Sequence, residues 1–184
     1  MYNSDEIIDL LYPAGDPARE IFLKHSIQVR NKALEIAEKF PEADIELICH
    51  GAMLHDIGIR FCHAPNIGCN GKADYLLHGI IGAEKLRFMA VYNSEKLARI
   101  CERHTGSGLT AQEIIAGKLP LPPRDLLPET LEEKIICLAD KFFSKSGRME
   151  EKSLEKIRRG MEKFGTSPLK RFDELCAELL ETQV

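Results

Sequence analysis

The sequence predicts an all-α fold, on three observations. Apolar residues recur at helical spacing along nearly the whole chain, no stretch sustains the period-two alternation of strands, and helix-start signals recur, two of them complete capping boxes.

In chain order, a first short helix spans 4–11, with Ser4 as N-cap and Asp5 and Glu6 in the first turn, where carboxylates complement the helix dipole. Pro13, Gly15 and Pro17 interrupt the chain. A second helix opens with Asp16 as N-cap and Pro17 at its first position; its stripe is Phe22, Val29, Ala33, Ile36 and Phe40, and His25 lies on it. A third, 43–56, sets Leu47, Ile48, Ala52 and His55 on one face. Residues 57–73 contain Gly58, Pro65, Gly68 and Gly71 without periodicity and read as a loop of functional length. A fourth helix runs from Asp74, as N-cap, to about Met89, with His78, Gly82 and Leu86 on one face. Gly79 and Gly82 would let that helix approach a neighbour or a ligand closely.

Ser94 opens a fifth helix with Leu97, Cys101 and His104 on one side and Gly106 as its stop. Thr110 with Glu113 caps a short helix, and Pro120, Pro122, Pro123 and Pro128 stiffen the linker that follows. Thr130 with Glu133 caps a helix from 131 to about 145, whose inner side carries Asp140. Two amphipathic tail helices remain. One carries Leu154, Ile157, Met161 and Phe164; the other is opened by Ser167 and Pro168 and carries Phe172, Leu175 and Leu179. Neither stripe bears an inward His or Asp.

A length of 184 residues suits one domain over 1–184, read as a core at 16–146 with a helical extension at 147–184. The formal net charge is -4 and lysines and arginines are scattered in sequence, so a surface for a nucleic-acid polymer is not indicated. A local basic pocket for one phosphate ester remains compatible. No apolar run approaches the roughly 20 residues of a membrane span, and the acidic start lacks a secretion signal. The expectation is a cytoplasmic protein without membrane partners. The six cysteines read as buried or free thiols. Cys62, His63 and Cys69 match no zinc spacing. His50 falls off the stripe that holds His55, and His63 lies in the loop, so both read as solvent-facing or locally hydrogen-bonded.

His25, His55, His78 and His104 recur on the apolar faces of four helices, and Asp56 and Asp140 join them. One inward histidine is more often a satisfied core residue than a ligand. Burying six such groups together costs several kcal/mol unless each is satisfied, and metal coordination satisfies all of them at once. Six nitrogen and oxygen donors exceed what one closed tetrahedral site needs. That points to a site between helices holding two divalent transition ions, Fe, Mn or Zn ahead of Mg, which would activate water and clamp a phosphoryl group.

His55, Asp56, Ile57 and Gly58 spell HDIG, and the order is completed by His25 before it and by His78, His104 and Asp140 after it. This pattern over residues 25 to 140 resembles the HD superfamily of metal-dependent phosphohydrolases, all-helical enzymes that cleave phosphate esters, often of nucleotides. The resemblance implies that His25, His55, Asp56 and Asp140 hold one metal and that His78 and His104 hold a second, with Asp56 bridging and orienting the attacking water. Relatives with two extra histidines include cyclic-dinucleotide phosphodiesterases and diadenosine tetraphosphate hydrolases. Ile59 and Arg60 stand where several relatives continue HDIG with a lysine, and the run Thr105, Gly106, Ser107, Gly108, Leu109 only loosely matches the cyclic-dinucleotide group. A small nucleotide-like phosphoester or anhydride is therefore the preferred substrate.

Lys141, next to Asp140, is read as a catalytic candidate that contacts phosphate or orients a carboxylate. Arg60, Arg103 and Arg124 are candidate substrate contacts. Two rival readings stand: a single-metal nucleotidase in which His78 and His104 contact substrate, and a non-catalytic nucleotide-binding module. The tail helices could equally cover the core or pair with a second copy in a homo-oligomer.

Overall fold

A computed structural model describes residues 3–89, 91 and 93–181. Among them the chain is mostly helical: α1 (Ser4–Leu11), α2 (Arg19–Ala37), α3 (Ile45–Leu54), α4 (His78–Met89), α5 (Ser94–Arg103), α6 (Ala111–Ala116), α7 (Leu131–Lys141), α8 (Leu154–Met161) and α9 (Thr166–Leu180). Both predicted capping boxes form, Thr110 with Glu113 and Thr130 with Glu133. No helix among the described residues is long and apolar enough to cross a membrane.

Several boundaries differ from the sequence reading, each for a local reason. Asn3, not Ser4, caps α1, forming a reciprocal box with Glu6. Asp16 caps the turn ahead of α2, its Oδ1 accepting from the Ala18 N–H at 2.8 Å, and the α-helix begins only at Arg19. Phe40 lies beyond the end of α2, and Phe164, expected on an inward stripe, is 71% exposed. α7 stops at Lys141 rather than near 145, and α9 starts at Thr166, just ahead of Ser167 and Pro168.

The largest difference is the segment 57–73. It is not an open loop: Ile57–Phe61 form a 3-10 turn with Ile57, Gly58 and Ile59 buried, and His63–Ala64 (β1) pairs antiparallel with Cys69–Asn70 (β2). Four residues are too few to show a period, which is why this hairpin left no trace in the pattern. The turn packs against α4 at van der Waals limits. A Cβ on Gly58 would lie 2.0 Å from the His78 carbonyl oxygen, and one on Gly79 would lie 2.3 Å from that of Cys101. Only glycine lets these backbones meet.

One buried cluster runs from Ile7 and Ile8 on α1 through α2, α3, α5 and α7 to Phe172 and Leu179 on α9. The tail helices thus pack on the chain's own core. They are also tied to the turn after His104: Ser107 donates to the Pro168 carbonyl at 2.7 Å, and Arg171 reaches the Gly108 carbonyl at 3.0 Å and both oxygens of Glu113.

Candidate metal centre

α3 ends at Leu54, leaving His55 as its C-cap and Asp56 in a non-helical turn (φ -103°, ψ 8°). That break aims both side chains inward; His55 and Asp56 are fully buried. His25 comes from the middle of α2, His78 opens α4, His104 ends α5, and Asp140 lies one residue before the end of α7. All six residues are buried.

Their ligand atoms form two groups. In the first, His25 Nε2 lies 3.0 Å from Asp140 Oδ1 and 3.2 Å from Asp56 Oδ2, and His55 Nε2 lies 3.1 Å from Asp56 Oδ2 and 3.5 Å from Asp140 Oδ1. In the second, the other oxygen of Asp56 takes over: Oδ1 is 3.4 Å from His78 Nε2 and 3.3 Å from His104 Nε2. Within each group these donors lie within 4.8 Å of one another, so each group could hold a metal ion, with Asp56 common to both.

Hydrogen bonding decides which way the imidazoles face. His55 Nδ1 lies 2.7 Å from the Ala52 carbonyl, His78 Nδ1 2.6 Å from that of Tyr75, and His104 Nδ1 2.8 Å from that of Cys101. A carbonyl can only accept, so Nδ1 carries the proton in each ring and, in the neutral imidazole, Nε2 is left as a bare lone pair facing the cluster. For His55 and His104 the acceptor is one of the orphan carbonyls of a helix end, so the ring doubles as a helix C-cap. His78 Nε2 and His104 Nε2 are then two acceptors 3.0 Å apart. Asp56 Oδ1 and His55 Nε2 have no hydrogen-bond partner, and Asp56 Oδ2 has the Lys145 ammonium beside it. Buried imidazole nitrogens and carboxylate oxygens that converge in this way are the donor types a divalent transition metal takes.

The electrostatics of the two groups differ. Burial works against a charge on His55, but Asp56 and Asp140 outweigh it and push its pKa up to about 9. Burial, with His104 adding, presses His78 down to about 3. Burial also lowers His104. The first group calls for positive charge, and the second favours neutral imidazoles.

Two lysines attend the carboxylates. Lys141 Nζ donates to Asp140 Oδ2 at 2.7 Å and to the His104 carbonyl at 3.2 Å, which turns Oδ1 toward the cluster. Lys145 was not singled out by sequence, yet its Nζ stands 2.6 Å from Asp56 Oδ2 and 3.9 Å from Asp140 Oδ1. Burial opposes its charge, but those carboxylates hold its pKa above the ordinary lysine value. Its position was not legible because it lies past the end of α7, where helical spacing no longer predicts direction.

The three arginines read as substrate contacts stand elsewhere, each bound to an acid. Arg60 pairs with Asp16 at 2.7 Å, Arg103 with Glu129 at 2.8 Å and Arg124 with Glu102 at 2.9 Å. His50 bonds Ser4 Oγ at 3.0 Å and His63 is exposed, both outside the cluster. All six cysteines are free, and Cys62, His63 and Cys69 are not among the groups able to hold a metal within the described residues.

Comparison with known proteins agrees with this geometry. The HD domain family profile matches residues 22–144, from α2 to just past α7. An uncharacterized protein of Methanocaldococcus jannaschii is 41% identical over 135 residues, 71% of each chain. The tRNA (cytidine(56)-2'-O)-methyltransferases of Picrophilus torridus and Thermoplasma volcanium are 36% and 34% identical over 143 residues; the match covers 78% of this chain but only 37% of each of those longer proteins. Among solved structures, the HD domain of the L. monocytogenes phosphodiesterase PgpH superposes with a TM-score of 0.53 at 18% identity, covering 97% of this chain and 98% of that one. Its complex with cyclic-di-AMP gives 0.52 at 19% identity, covering 90% of this chain and 94% of that one. By the span of the profile match and by its kinship with the Methanocaldococcus protein, this chain belongs to the HD domain family.

Proposed function

We propose that the chain is a metal-dependent phosphohydrolase that cleaves a phosphoester or phosphoanhydride of a small, nucleotide-like substrate. The observation that carries this reading is the shared carboxylate: each oxygen of Asp56 faces its own set of inward lone pairs. On this reading His25, His55, Asp56 and Asp140 would hold one divalent ion, and Asp56, His78 and His104 a second. Such ions, when bound, supply Lewis-acid activation of water and neutralise charge developing on a phosphoryl group.

The chain's own residues do the rest. The Nδ1–carbonyl bonds hold three imidazoles with Nε2 inward, Lys141 orients Asp140, and burial excludes bulk water from the carboxylates. Lys141 and Lys145, at the edge of the carboxylate pair, are the cations placed to meet a substrate phosphate. Arg60, Arg103 and Arg124 are engaged with acids outside the cluster and rank below the two lysines, whose partners are the cluster's own carboxylates. A nucleotidic substrate is supported by the neighbour solved with cyclic-di-AMP and by two relatives named for a tRNA-modifying activity. Methyl transfer itself is not proposed, since those names belong to much longer proteins.

The test is a panel of phosphate mono- and diesters, nucleoside oligophosphates and cyclic dinucleotides, assayed with Mn²⁺- or Fe²⁺-loaded protein. Turnover by wild type that disappears in Asp56→Ala is expected. Absence of turnover across the panel, or activity unchanged in Asp56→Ala, overturns the reading in favour of a non-catalytic module. Metal content separates the remaining alternative: about two equivalents per chain are expected, and one would mean a single-metal enzyme.

A further inference from the structure

Lysines and arginines scattered in sequence converge in space. Lys141, Lys145, Lys152, Lys156, Arg159 and Lys163 line a cleft of about 490 Å³ that reaches the metal centre at Asp140, the one acid in its wall. A volume of that order accommodates a ligand rather than a single ion. Its outer wall is α8 with the 3-10 turn Glu162–Phe164 that follows it: Lys156 and Arg159, three residues apart on α8, share a face, Lys163 stands in the turn, and Lys152 lies just ahead of the helix. Ile157 and Met161, both 5% exposed, fix that helix to the core.

Lys141 and Lys145 face Asp140 and Asp56, and Arg159 pairs with Glu155. Among the described residues Lys152, Lys156 and Lys163 have no carboxylate at ion-pair distance. Burial, opposed by the charge of Asp140 but joined by those of Lys141, Lys145 and Lys156, holds Lys152 below its ordinary value. Asp140 alone does not balance this many cations in one wall; the like charges repel one another, and an anion relieves that repulsion.

A second cavity, of about 390 Å³, meets the first at Met161 and Phe164, which line both. This one is apolar, walled by Leu76, Leu109, Leu119, Pro168 and the Thr105–Gly108 turn that follows His104. Phe164, 71% exposed, stands as an uncovered aromatic ring between a cationic and an apolar cavity. Phosphates beside a ring on which a base can stack make up the arrangement used to hold nucleotide chains.

We infer that residues 152–164 form the substrate-selecting wall of the centre and take a ligand bearing several phosphates and at least one base. Phosphates beyond the scissile one lie along Lys152, Lys156 and Lys163, and a base stacks on Phe164 at the apolar cavity. This rests on the phosphohydrolase reading for its catalytic meaning, but not for the binding itself. Two sources share the chemistry, a short oligonucleotide and a nucleoside oligophosphate.

The test is binding to the full chain freed of metal by chelation. A fluorescein-labelled tetranucleotide is followed by anisotropy, and adenosine 5'-tetraphosphate and inorganic tetraphosphate compete against it. One of the two nucleotidic ligands is expected to bind at least tenfold tighter than inorganic tetraphosphate, and the tighter of them identifies the source. Lys152→Ala/Lys156→Ala/Lys163→Ala should weaken binding at least tenfold and flatten the slope of log affinity against log salt by about two, near 0.7 per lost phosphate contact. Phe164→Ala should weaken the nucleotidic ligand about tenfold and leave inorganic tetraphosphate unchanged. Unchanged melting curves will show that the lysine variant is folded.

The inference is overturned if neither nucleotidic ligand binds, if inorganic tetraphosphate binds as tightly, or if the lysine substitutions change nothing. Failure of the underlying reading looks different. Binding as expected with no turnover by metal-loaded wild type removes the hydrolase and keeps the cleft; turnover of a simple ester without nucleotide binding does the reverse.

Discussion

The two halves of the histidine–aspartate cluster are built from the same residue types but are not equivalent. The half made by His25, His55, Asp56 and Asp140 contains two carboxylates, draws Lys145 to 2.6 Å of Asp56, and pushes His55 toward the charged form. The half made by His78, His104 and the other oxygen of Asp56 has one shared carboxylate and keeps its imidazoles neutral. A dication gains more beside two carboxylates than beside one. The first half would therefore hold a dication more tightly than the second. The halves also face different surroundings, the first opening on the lysine cleft and the second lying beside the apolar cavity through Thr105.

The comparison is broken most completely at the residue both halves share. Asp56→Ala should lose both ions by elemental analysis and reduce turnover to background; retention of either ion would show that the halves are independent. His78→Ala/His104→Ala sharpens it, since metal content should fall from about two equivalents to about one. Loss of both would mean that the two-carboxylate half is not the tighter one.

Gly58 lies two residues after Asp56 and packs on the backbone of α4 at His78 and Gly82. Gly58→Ala would press a methyl group against the His78 carbonyl at 2.0 Å. It should destabilise the fold by about 3 kcal/mol, read as a melting point lower by roughly 6–12 °C. A melting point within a degree of wild type would mean that the turn can shift away from α4. Lys141→Ala frees Asp140 to rotate and should weaken metal binding to the first half by about 10- to 100-fold, with the second half unaffected. Titration with a chromophoric chelator checks this.

The smallest effect lies outside the cluster, at Glu102, one residue from Arg103 and two from His104. Burial opposes its charge, but Arg87 and Arg124 outweigh this and hold its pKa below the ordinary value of 4.5. Its contribution to stability is thus complete above 4.5 and is lost as pH falls through the lower folded-state value. Glu102→Gln should flatten the acid limb of the stability–pH profile while leaving neutral-pH metal content unchanged. An unaltered acid limb would remove Glu102 from the account.

Most of the helices and the six cluster residues were legible because both follow from spacing. Thr110 and Thr130 announce their helices three residues ahead of Glu113 and Glu133, and His55 falls in register with Leu47, Ile48 and Ala52. What escaped depends on tertiary placement. Lys145 follows a helix end, and Lys152, Lys156 and Lys163 come to line one cleft with Asp140 only in the folded chain. The acidic partners of the arginines were not legible either, since Arg124 in the proline linker meets Glu102 only in the folded chain.

The carbonyls that receive the Nδ1 protons of His55, His78 and His104 belong to the main chain at Ala52, Tyr75 and Cys101. No side-chain substitution at those three positions can delete the acceptor. Ring orientation is thereby inherited from backbone geometry, so the chain can drift in sequence around the centre, and new substrates can be recruited by changing its walls, without re-aiming the groups that would bind metal.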